Sequence, residues 1–110
     1  MERFVKGDVV VLPFPFSDLT ISKKRPCLIV AKLKGDDIIL CQITSQSRDD
    51  IDAIELKQKD FQQGNLGVDS WIRPNKLLTL ETSMIKYKLG ELRPEKIKQV
   101  EKQLVKIFTR

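Results

Sequence analysis

A chain with no histidine and two cysteines has few ways to do chemistry. Its suitable polar groups gather at the ends of apolar runs. Arg25 opens the run Pro26-Cys27-Leu28-Ile29-Val30-Ala31-Lys32, and Thr44 and Ser45 close the run that ends Gln42-Ile43-Thr44-Ser45-Gln46. Between them, Lys34-Gly35-Asp36-Asp37 is turn chemistry. In a hairpin turning there, the start of one strand lies beside the end of the next. Arg25 and Thr44 are therefore expected as neighbours at one rim of a sheet. Arg73 ends a later run and is followed by Pro74-Asn75. A guanidinium fork matches the oxygens of a phosphate, and a threonine hydroxyl can donate one more bond. Each residue alone has a plainer use: an arginine pairs a local carboxylate, and a threonine closes a strand end. Because a guanidinium does not give up its proton easily, the role first assigned to Arg25 is electrostatic stabilisation.

The elements that must hold these groups are strands followed by one helix. Val9 to Leu12 is a β-branched run after the turn residues Lys6-Gly7-Asp8. Pro13 and Pro15 remove two ladder donors, so Leu12 to Phe16 is not expected to continue as a central strand. Residues 17–24 read as a polar loop, 26–32 as a second strand and 38–44 as a third. Residues 51–56 form a plausible fourth strand. The glycines and asparagine of 60–67 read as a turn. Ser70 to Arg73 is a short strand ended by Pro74, Lys76 to Leu80 another, and Met84 to Leu89 a third, stopped by Gly90. Pro94 suits a first helical position, with Glu95 in the first turn. Ile97, Val100, Leu104, Ile107 and Phe108 then fall on one helical stripe. Lys98, Lys102 and Lys106 line another side, as a solvated face or as contacts to backbone phosphates. The pattern predicts a mainly β protein: a curled antiparallel sheet or small open barrel, closed by a C-terminal helix.

At 110 residues the chain is expected to be one domain, 1–110. It is 41% apolar and 32% charged, a globular balance. No apolar run reaches the roughly 18 residues of a membrane span, and the first residues do not read as a signal peptide, so the cytoplasm is the expected location. Cys27 and Cys41 each lie in an apolar run and read as reduced core residues, with a disulfide or a reactive thiol as alternatives. No Cys-x-x-Cys is present, and no metal ligand set or cofactor is expected. The net charge of +5 is uneven: residues 1–55 carry eight basic and nine acidic side chains, and 56–110 carry twelve and six. Such one-sided positive charge attracts polyanions, nucleic acid among them.

Metal-free cleavage of RNA has matching needs. The 2′-hydroxyl attacks phosphorus, the 5′-oxygen leaves, and charge builds on the phosphate oxygens. Two histidines cannot supply the acid and base here. At these residues the sequence resembles the MazF/PemK family of toxin endoribonucleases. The matching pieces are Lys6-Gly7-Asp8-Val9-Val10, Pro13-Phe14-Pro15-Phe16-Ser17-Asp18, Lys24-Arg25-Pro26 and Gln42-Ile43-Thr44-Ser45-Gln46. Ser70-Trp71-Ile72-Arg73-Pro74-Asn75-Lys76 and Leu89-Gly90-Glu91-Leu92 also match.

The resemblance implies an SH3-like barrel of the CcdB/MazF type that forms a homodimer. It implies cleavage of single-stranded RNA at a short recognition sequence, leaving 2′,3′-cyclic phosphate and 5′-hydroxyl ends, and a cognate antitoxin with a flexible, often acidic tail. It assigns catalysis to Arg25 and Thr44, with a contribution from Arg73. Lys24, Ser45, Gln46, Trp71 and Asn75 are the candidate RNA-binding residues, Trp71 as a stacking platform if it is not a core residue. The sequence departs from the pattern twice. Asn75 replaces an acidic residue two positions after Arg73, and the loop 17–23 lacks the histidine or glutamate of some members. Asp18 is the candidate general base. Two other functions are weighed: an RNA-binding module that has lost catalysis, which Asn75 favours, and a gyrase-poisoning toxin of the same barrel, against which stands the ending Phe108-Thr109-Arg110 without a bulky terminal aromatic.

Overall fold

The computed structural model describes residues 3–15, 22–46 and 49–110. Among these residues seven strands make one sheet: β1 (Asp8–Pro15), β2 (Ser22–Lys32), β3 (Asp37–Thr44), β4 (Ile54–Leu56), β5 (Phe61–Gly64), β6 (Ser70–Glu81) and β7 (Tyr87–Leu92). The order across the sheet is β4-β6-β3-β2-β1-β7-β5, and every neighbouring pair is antiparallel. Helix α1 (Pro94–Thr109) follows β7. The predicted class, a mainly β curled sheet with a terminal helix, is the observed one.

Alternation along the strands sends side chains to two faces. Val9, Leu28, Cys41, Ile43 and Ile72 fill one face, where Val100, Ile97 and Leu104 of α1 pack. Val10, Leu12, Cys27, Ile29, Ile38 and Leu40 fill the other, under Phe4, Leu78, Leu80 and Ile85. Ile97, Val100 and Leu104 of the helical stripe thus pack as their spacing predicts, whereas Phe108 is 70% exposed. The two cysteines belong to opposite faces, so neighbouring strands do not make them a disulfide pair. Burial pushes the Cys27 thiol up to about 12 and raises Cys41 as well, which keeps both protonated and unreactive.

Several strand boundaries differ from the sequence reading. β1 runs through Pro13 to Pro15, paired with β2 along its length, while its pairing with β7 covers only Asp8 to Val11. Beyond Val11 the strand therefore has one neighbour among the described residues, and a residue without an N–H is tolerated there. The same pairing starts β2 at Ser22 rather than Pro26, so Arg25 lies inside the strand. β6 continues through Pro74 because its register with β3 shifts: Cys41 pairs with Leu77 but Gln42 pairs with Arg73. The extra residues Pro74, Asn75 and Lys76 bulge out, and the ladder needs no donor from the proline. Residues 60–67, read as a turn, instead hold β5, which follows a 3₁₀ turn at Gln58–Asp60. β7 extends through Gly90, whose added Cβ would lie 2.4 Å from the Gln63 carbonyl oxygen, so only glycine lets β5 approach.

Two local devices tie α1 to the sheet. Gly7 adopts φ 98°, and a Cβ there would lie 2.5 Å from Ile97 Cδ1. Its N–H donates to Ile29 and its carbonyl accepts from Leu92, so the turn before β1 is held between strand and helix. At the other end of α1, buried Asp52 accepts hydrogen bonds from Gln103 Nε2 (2.9 Å) and from Arg110 Nη1 and Nη2 (both 3.0 Å). The Gly7→Ala variant is expected to lose about 1–3 kcal/mol, through backbone strain and the clash with Ile97. An unchanged urea midpoint would refute that packing. Asp52→Ala is expected to cost about 1–2 kcal/mol, since half of Arg110 stays in solvent while Gln103 loses its acceptor. The same denaturation series measures it.

Candidate functional site

The β2–β3 register builds the first part of the site. Cys27 stands opposite Gln42, and antiparallel pairing brings the residues flanking that pair to one rim. Arg25 lies two residues outward on β2 and Thr44 two residues outward on β3, on the face of Cys27 and Gln42. Both line one cleft of about 360 Å³, together with Lys24 and Ser45 and the apolar Val11, Val68, Tyr87 and Leu89. Thr44 is 5% exposed, and its Oγ1 accepts the backbone N–H of Gln46 at 3.2 Å. That bond shapes the strand end and uses the hydroxyl as acceptor, so its proton can still be donated. Lys24, Ser45 and Gln46 are exposed around the rim. The cleft brings Lys24, Arg25, Thr44 and Ser45 together with an apolar wall.

The second part lies on β6 and the loop before β4. Arg73, opposite Gln42, shares the face of Thr44, and Trp71 is paired directly with Thr44. Arg73 Nε donates to Asp50 Oδ2 at 2.9 Å, and Nη1 donates to Gln42 Oε1 at 3.3 Å. Asn75, in the bulge, donates to Asp50 Oδ1 at 3.2 Å and Oδ2 at 3.4 Å. The backbone N–H of Asp52 reaches Asp50 Oδ1 at 3.0 Å. Burial would raise the pKa of Asp50, but the bonds from Arg73, Asp52 and Asn75 outweigh it and hold the carboxyl below its ordinary 3.8. Asp50 is therefore a carboxylate at neutral pH.

The structure brings together most of the residues that the sequence singled out. Arg25 and Thr44 share a rim and a cleft. Arg73 sits further in on the same face, joined to Gln42. Trp71 is half-buried between Thr44 and Glu55 of β4, and so is not a fully buried core residue. Asp18 lies outside the described residues. The Lys98, Lys102 and Lys106 row is exposed on α1. Asp50 and Gln42 are the polar contributors that the sequence reading missed. Gln42 stands inside an apolar strand, which is itself a signal, since a buried amide is there for a partner. Asp50 belongs to the polar stretch after Thr44, where no periodicity marks one carboxylate from another. Among the described residues, no three of His, Cys, Asp or Glu are gathered to hold a metal ion, and no helix is long and apolar enough to cross a membrane.

Comparison with solved structures finds the same fold at low identity. A MazF from Deinococcus radiodurans aligns with a TM-score of 0.78 and 17% identity over all of both chains. A mycobacterial endoribonuclease in complex with its cognate antitoxin gives 0.76 and 15%, covering 96% of this chain and 95% of that one. The Mycobacterium tuberculosis toxin MazF-mt6 gives 0.65 and 14%, covering 90% and 95%. Comparison with curated proteins gives no sequence match. The family model of the PemK-like, MazF-like toxins of type II toxin–antitoxin systems matches residues 5–108. With that match running from the turn before β1 almost to the end of α1, the chain belongs to the PemK-like, MazF-like toxin family.

Proposed function

We propose that this toxin is a metal-independent endoribonuclease that cuts single-stranded RNA at a short recognition sequence. The observation that carries the reading is the rim where Arg25 and Thr44 border one cleft. A scissile phosphate there meets a guanidinium fork and a hydroxyl donor, and a flanking base can enter against Tyr87 and Leu89. The 2′-oxygen attacks phosphorus as its proton passes to a base, for which Asp18 remains the candidate. The 5′-oxygen departs as it takes up a proton from water. The products are a 2′,3′-cyclic phosphate and a 5′-hydroxyl. Arg25 and Arg73 stabilise the charge that grows on the phosphate oxygens. The absence of histidine supports an electrostatic route over a two-imidazole one.

Similar chains support the reading: one is an endoribonuclease from a mycobacterial species, and another is MazF bound to MazE. Lys24, Ser45 and Gln46 lie around the rim as RNA contacts, with Trp71 exposed enough to stack on a base. A cognate antitoxin with an acidic segment suits a chain of net charge +5. The acting form is a homodimer in the cytoplasm. The loss-of-catalysis reading drew on Asn75, yet Asp50 places a carboxylate beside Arg73 all the same.

Cleavage of a single-stranded RNA substrate is expected to persist in EDTA, with 5′ ends that polynucleotide kinase labels without prior phosphatase treatment. Arg25→Ala should lower kcat/KM by about 100-fold or more, and Thr44→Ala by about 10-fold or more, as for lost donors to a charged transition state. Intact RNA under these conditions, or variants as active as the parent, would refute the proposal.

A further inference from the structure

We propose that Asp50 is a positioning residue for the RNA-cleaving site: its carboxylate holds Arg73 Nε and so leaves Nη2 for the phosphate. This rests on the endoribonuclease reading above. Three donors converge on Asp50: Arg73 Nε, the Asn75 side-chain amide and the Asp52 backbone N–H. The Asp50 side chain is 8% exposed and that of Arg73 is 18% exposed, so the ion pair is shielded from water. Gln42 takes Nη1 from the sheet side. Two of the five guanidinium donors are thus committed to the protein, and Nη2 has no protein partner among the described residues.

The hold on Asp50 is itself built in. It lies in the loop between β3 and β4, and that loop is clasped two residues on, where Asp52 receives Gln103 of α1 and Arg110 just after it. Asn75 has a defined part: its amide bonds both oxygens of Asp50, so it supports the carboxylate instead of supplying one. Gln42 is the second clamp. With both in place, Arg73 is fixed on the face it shares with Thr44, the geometry that a preorganised electrostatic contact requires.

Single-turnover cleavage of an RNA oligonucleotide tests this, with Arg73→Ala and Asp50→Asn compared to the parent. Asp50→Asn keeps the shape and an acceptor for the Asp52 N–H but removes the charge. Its kcat should fall by about 10- to 100-fold while KM changes little, because the interaction it supports acts in the transition state. The double variant Asp50→Asn/Asn75→Asp returns one carboxylate and one amide to the cluster, and is expected to recover most of the lost kcat. A lower melting temperature with an unchanged kcat in Asp50→Asn would show a structural ion pair only and overturn the proposal. No recovery in a folded double variant would also overturn it. Should Asp50→Asn fail to fold, the Arg73 Nε–H resonance of the parent decides: slow exchange with solvent supports the clamp, and free exchange overturns it. A parent that leaves RNA intact would sink the endoribonuclease reading together with this one, whereas loss in Arg25→Ala with parent-like Asp50→Asn would sink this one alone.

Discussion

The register between β2 and β3 is the constraint on which the rest of the site depends. Cys27 faces Gln42, and the placement of Arg25 and Thr44 follows from that pairing by simple alternation. A slip of one residue would send Thr44 to the face of Ile43, against α1, and leave Arg25 with no companion. The register is fixed by burial. Leu28 with Cys41 on one side and Ile29 with Leu40 on the other are almost completely removed from water. Apolar surface thus chooses the pairing, and the polar groups at the strand ends inherit their positions from it.

Arg73 is placed by a different means. β6 reaches the same face only because three residues bulge out of its ladder with β3, and one of them, Asn75, turns to the loop that carries Asp50. The bulge, the loop and the end of α1 form a chain of contacts from Arg73 through Asp50 and Asp52 to Arg110. Charge in this region is arranged in partnered sets rather than spread as a bare basic surface. The same holds near β7, where Lys88 lies between Asp8 and Glu91. The bond to Glu91, despite the cost of partial burial, holds the pKa of the Lys88 ammonium above its ordinary value.

What the sequence showed and what it hid divide along physical lines. The hairpin of 26–44 was legible because a Gly-Asp-Asp turn separates two β-branched runs, and its geometry alone put Arg25 beside Thr44. The helix was legible because Pro94 and the spacing of Ile97, Val100 and Leu104 agree. Strand ends at prolines were not legible: Pro13 and Pro74 look like stops, and only the neighbour on each side decides whether a missing N–H matters. β5 was hidden because Phe61 to Gly64 is short and mostly exposed, and its place depends on Gly90 across the ladder. Asp50 was hidden because its role is created by Arg73 and Asn75, 23 and 25 residues away in sequence. The motif Lys6-Gly7-Asp8 owes its pattern to packing: Gly7 admits Ile97, and Asp8 caps the N–H of Val5.

The prolines of β1 carry one more consequence. Past Val11 this strand has lost β7 as a neighbour, so its outer side is an open margin of the sheet among the described residues. Such a margin invites another extended chain to add itself, and uncontrolled addition leads to aggregates. Pro13 and Pro15 take two amide protons out of that stretch, at alternate positions where a regular ladder would look for them. An incoming segment therefore finds an incomplete set of hydrogen-bond donors, and self-association through this margin is disfavoured before any partner is considered.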